Sequence, residues 1–143
     1  MHDIARLLPE VLRLLKRMEP LSDSGDQRWE GLYFVSAKRS WYPATFVLYE
    51  ARLFGFLCAG FTSFELEWVT GTSDVRFRRE GSSLGLDWDE ETLWRKALRQ
   101  FRRDLCRVLR DPDRFHRWME RNLPLSCRTG KIVRKLTWKE KVA

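Results

Sequence analysis

The chain has 143 residues, 43% hydrophobic and 33% charged, and a net charge of +7. Such a length suits one domain able to bury roughly 70% of its unfolded surface, and the composition excludes a disordered or membrane-spanning chain. No run reaches the ~18 uninterrupted apolar residues that a bilayer crossing requires, so no membrane partner is expected.

Residues 1–20 place Ile4, Leu7, Leu8, Val11, Leu15 and Met18 at three- and four-residue intervals, which predicts an amphipathic helix ending near Pro20. Pro9 falls inside it, so either the helix starts at Leu8 or a longer one is kinked there. Asp3, Arg6, Glu10 and Arg13 interrupt the apolar stretch a signal peptide would need, and a cytoplasmic protein is expected. The polar LSDSGDQ, residues 21–27, reads as a loop.

Between 29 and 80, five runs rich in aromatic and β-branched residues are separated by turn signals: WEGLYFV, ATFVLYE, RLFGFLCA, SFELEWV and DVRFRRE. If TGTS joins the last two as a hairpin, Trp68 faces Val75 and Leu66 faces Phe77 on one side. On the other side Glu67 faces Arg76 and Glu65 faces Arg78. Apolar meets apolar and acid meets base in a single register. Cys58, in the apolar LFGFLCAG, is expected in the core.

The acids of DWDEE suit the first turn of a helix running to about Arg110. In DPD, Asp111 supplies an N-cap and Pro112 a first helical residue, so a second helix runs from there to about Asn122. The whole predicts an α+β fold in a single domain, 1–143. Its parts are an N-terminal helix (1–20), an antiparallel β-meander of four to five strands (29–80), two C-terminal helices packed on one sheet face (87–123) and a basic C-terminal tail (125–143).

Charge is unevenly divided. Residues 1–86 hold eleven basic and eleven acidic side chains; residues 87–143 hold sixteen and nine, so the whole surplus lies there. Projected as a helix, Trp94, Ala97, Leu98, Phe101, Leu105, Val108 and Leu109 share one face, and Arg95, Arg99, Arg102, Arg103 and Arg110 share another with Cys106 and no acid. Like charges three and four residues apart repel by a few tenths of a kcal/mol each. The compensating negative charge comes from the chain itself, for which Glu65, Glu67 and the acids near 21–27 are available, or from nucleic-acid phosphate, or from an acidic protein. A GC-rich genome alone can also skew basic residues toward arginine, and twenty of the twenty-seven here are Arg.

Trp41 and Tyr42, read as a loop beside Lys38 and Arg39, combine a stacking platform with cations, the pairing that single strands need. The opposing reading makes Trp41 a plug at the end of the meander. The tail adds Arg128, Lys131, Arg134, Lys135, Lys139 and Lys141, and alternation through Ile132, Arg134, Leu136 and Trp138 allows an edge strand or an arm that orders on binding. Its TGK is no P-loop, because Leu125 stands where a glycine is needed and Ile132 where Ser or Thr is needed.

Catalytic signals are weak. His116, between Asp113 and Glu120, is the one histidine away from the terminus, and Cys58, Cys106 and Cys127 share no metal-ligand spacing with it or with His2. No cofactor, metal or enzymatic activity is expected. The expectation is a small protein binding nucleic acid, single-stranded or structured and with weak sequence specificity, through Lys38, Arg39, Trp41, Tyr42, the arginine face and the tail residues Arg128, Lys131, Arg134 and Lys135. The alternative is an interaction module that docks an acidic protein on the same surface.

Overall fold

The computed structural model describes residues 2–21, 25–36, 38–81, 89–122 and 138–141. The first helix, α1, is His2–Leu15 with Pro9 inside it, so it begins well before Leu8, and it ends five residues short of the stop expected near Pro20. Its apolar stripe, Ile4, Leu7, Leu8, Val11 and Leu15, is buried.

Five strands follow in an antiparallel meander whose spatial order equals chain order: β1 (Gln27–Val35), β2 (Ser40–Tyr49), β3 (Arg52–Ala59), β4 (Thr62–Val69) and β5 (Val75–Glu80). The β4–β5 register pairs Trp68 with Val75, Glu67 with Arg76, Leu66 with Phe77 and Glu65 with Arg78, as the side-chain pattern requires. On the core face lie Trp29, Tyr33, Phe46, Leu53, Leu57, Phe64, Leu66 and Trp68. Period-two alternation then turns Phe54, Phe56 and Cys58 to the opposite face, where Cys58 is exposed, not in the core as its apolar neighbours suggest.

The long helix α2, Glu90–Arg110, starts at an Asp89 cap whose carboxylate accepts the Thr92 N–H at 2.7 Å. It crosses the core face of the sheet. Trp94 lies over Gly55, where a Cβ would come within 2.7 Å of the ring, and Trp94 and Phe101 both meet Phe46 edge-on. Arg79 of β5 ties the sheet to the start of α2, pairing with Glu90 at 2.7 Å while its guanidinium covers the Phe64 ring. α1 lies along α2. The last helix, α3, is Pro112–Asn122 and buries Phe115 and Met119.

Trp138, read from sequence as part of a basic tail, is a core residue, 1% exposed, packed on Gly31 and edge-on to Phe101. Backbone bonds hold its neighbours to the end of α1: Glu19 N–H donates to the Lys139 carbonyl and Lys141 N–H to that of Arg17. The rest of that tail, with Cys127, Arg128, Lys131, Arg134 and Lys135, lies outside the described residues. Among the described residues no helix is long and apolar enough to cross a membrane.

Candidate functional site

The site forms where α2 hands over to α3. Asp111 does two jobs there: its N–H closes α2 on the Arg107 carbonyl, and its carboxylate accepts the Arg114 N–H at 3.1 Å, capping α3. Pro112 takes the first position of α3, where a missing N–H costs nothing. The change of direction sends Phe115 and Met119 inward and brings Trp118 against Trp41, with ring centroids 6.2 Å apart. Trp41 in turn leans on Phe34 at 5.0 Å.

Two open clefts share Arg107 and Trp118. The outer one, about 540 Å³, is walled by Arg107, Arg110, Arg114, Asp111, Phe115 and Trp118. The Arg107 guanidinium sits 5.9 Å from the Trp118 ring centre. The inner cleft, about 280 Å³, has aromatic walls in Phe34, Trp41 and Trp118; Arg103, Arg107 and Asn122 sit at its polar margin, with Gln100 and Asp104. Among the described residues, none of Arg103, Arg107, Arg110 and Arg114 makes an ion pair with a carboxylate.

Gln100 organises the inner cleft. Its carbonyl oxygen accepts the Phe34 N–H and its amide donates to the Leu32 carbonyl, both at 3.3 Å, so it satisfies the backbone of the edge strand β1. Its amide also reaches Asp104 Oδ2 at 3.4 Å. Asp104 is 5% exposed. Burial pushes its carboxyl up to about 6, against the pull of the Gln100 hydrogen bond and of Arg107 and Arg103. Tyr33 is likewise pushed up to about 12 by burial, with Arg103 opposing.

The Asp104 shift sets a pH dependence. A carboxyl whose folded pKa exceeds its unfolded value costs stability as pH rises between the two values, here from about 4 to about 6, and above that the cost is about 2–3 kcal/mol. Asp104→Asn should therefore be more stable than the parent by about 2 kcal/mol above roughly pH 7, and by much less near pH 4.5. Urea denaturation at the two pH values checks this, and an equal difference at both would contradict it.

The residues singled out from the sequence divide into groups. Arg103 and Arg110 reach the clefts. Arg102 pairs with Glu10 of α1 at 3.0 Å and Arg95 with Glu91 at 3.6 Å, and Arg99 is not free either. Glu65 and Glu67 lie on the sheet face away from α2 and engage Arg78 and Arg52, so they do not serve the arginine face. Lys38 and Arg39 stand exposed in the β1–β2 turn. Trp41 and Tyr42 are in β2, not in a loop, and as neighbours in a strand they point to opposite faces: Trp41 toward Trp118, Tyr42 opposite Tyr33. They cannot form one platform.

Arg107, Arg114, Trp118 and Asp104 were missing from the sequence-derived site. Arg103, Arg107, Arg110 and Arg114 recur at spacings of three and four, but the DPD break conceals that the series continues from one helix into the next.

Neither a family model nor a curated protein nor a solved structure matches the chain. The chemistry of the clefts therefore carries the functional argument. His116, which lines neither cleft, is pushed down by burial and by Lys139, with Asp113 and Glu120 opposing. Among the described residues no three His, Cys, Asp or Glu side chains gather in a way that could hold a metal ion.

Proposed function

We propose that the protein binds single-stranded or structured nucleic acid along the two clefts. The observation that carries this reading is the placing of Arg107, Arg110 and Arg114, outside any close ion pair among the described residues, around the half-buried Trp118. Guanidinium groups suit phosphate and the indole offers a base a stacking surface, a combination that supports binding of backbone and base together. An acidic protein would use the arginines but leave the aromatic walls of the inner cleft without an occupant. Binding, not catalysis, is the function assigned.

Arg103 and Arg110 belong to the proposed interface. Lys38, Arg39 and the tail cations Arg128, Lys131, Arg134 and Lys135 join it through charge alone, by adding to the field that attracts a polyanion. The test is an anisotropy titration of labelled single strands with the parent chain and with Arg107→Gln/Arg110→Gln/Arg114→Gln. Affinity indifferent to those three changes would reject the cleft.

A further inference from the structure

The inner cleft contains a group that phosphate binding does not need. A polyanion site gains nothing from a carboxylate, yet Asp104 lines the cleft beside Arg103 and Arg107, the side chains that would draw phosphate in. Nor does the fold gain from it, since a buried carboxylate costs stability once it ionises. Its Oδ2 takes one long bond from Gln100, and among the described residues Oδ1 accepts none. The amide of Gln100 is occupied by the β1 backbone and cannot rotate to complete the shell. Asp104 therefore offers an acceptor pair in a cleft that Phe34, Trp41 and Trp118 also line.

Among neutral nucleobases, guanine presents two adjacent donors on one edge, N1–H and the N2 amino group. Adenine and cytosine set an amino donor beside a ring acceptor, which a carboxylate repels, and in thymine and uracil two carbonyls flank the single N3–H. We infer that the inner cleft is a guanine-reading pocket, in which Asp104 accepts N1–H and N2–H of a guanine unstacked from a single strand and laid against the aromatic wall that the mutually edge-on Trp41 and Trp118 form. Because the clefts share Arg107 and Trp118, the phosphate beside that guanosine falls to Arg107, Arg110 and Arg114. The inference rests on the nucleic-acid reading and adds a base preference to it.

The test uses the full chain and labelled thymidine oligomers carrying one central guanosine, inosine, adenosine or cytidine, titrated by anisotropy at fixed low salt. Inosine keeps N1–H and loses only the amino group, so it probes the acceptor pair without altering the protein. The guanosine strand should bind roughly ten- to a hundredfold more tightly than the adenosine and cytidine strands, the range a two-bond base contact provides, and the inosine strand, which keeps one of the two bonds, should fall between. Asp104→Asn, which keeps the side chain's shape, should bring the four affinities together. If the parent binds all four strands equally, or if Asp104→Asn keeps the preference, the guanine pocket is overturned while the phosphate cleft stands. Absence of binding to every strand overturns both.

Discussion

Arg107→Gln/Arg110→Gln/Arg114→Gln should bind a single strand roughly a hundredfold more weakly than the parent at about 0.1 M salt. Each phosphate neutralised on a single strand contributes about 0.7 to the slope of log affinity against log salt, so three contribute about 2, and that difference in slope is about a factor of 100 at that salt. The variant should therefore differ from the parent in slope as well as affinity. All three side chains are exposed, and substitutions at such positions usually change stability by less than about 0.5 kcal/mol, so the loss belongs to binding. Arg95→Gln/Arg102→Gln is the control: its cations are engaged by Glu91 and Glu10, in pairs worth at most about 1 kcal/mol, and the salt slope should stay close to the parent's. A slope that falls equally in both variants would mean that overall charge, not the cleft, governs binding.

The largest effect on stability is expected at Gly31. An added Cβ would lie within 2.6 Å of Trp138 Cε2, and the ring cannot retreat, because Phe101 lies beside it and two backbone hydrogen bonds tie its neighbours to the end of α1. Gly31→Ala must therefore expel Trp138, at a cost near that of truncating a buried tryptophan, about 3–5 kcal/mol. Trp138→Ala should cost a similar amount, and Gly31→Ala made in that background should cost much less. Urea denaturation of the two single variants and the double variant measures the coupling; additive losses would show that the glycine and the indole do not share one space.

Much of the fold is legible in the residues because local and cross-strand signals agree. The β4–β5 register follows from Glu65 and Glu67 meeting arginines while Leu66 and Trp68 meet apolar partners, a match that a one-residue slip would destroy. Asp111 and Pro112 mark the α2–α3 break through capping chemistry alone. Cys58 is misleading because Leu53 to Ala59 is apolar on both faces, so no alternation of polarity says which way the thiol points. Trp41 resembles a loop residue because Pro43 follows it. Yet β3 pairs with β2 from Ala44 onward, so Pro43 has one neighbour strand, and its missing N–H is tolerated on the open side.

The candidate site is less legible for a different reason. A helical projection treats α2 alone, and on it Arg107 falls outside the arginine face while Asp104 stands among apolar residues as an apparent exception. Which arginines find a carboxylate depends on α1 lying along α2, and Arg102 meets Glu10 across a sequence separation of 92 residues. Gln100 carries no visible signal either, because its partners are backbone atoms of an edge strand. Such contacts arise from tertiary packing and leave no local pattern.

The most direct measurement is a heteronuclear NMR titration of the indole N–H signals with a short single strand at low salt. Trp29, Trp68, Trp94 and Trp138 are buried and should hold their positions, whereas Trp41 and Trp118 line the cleft and should shift together with the Arg107 and Arg114 side-chain signals. Saturating shifts confined to those groups are the result expected of a strand lying in the two clefts. Binding that leaves Trp41 and Trp118 unmoved would contradict it.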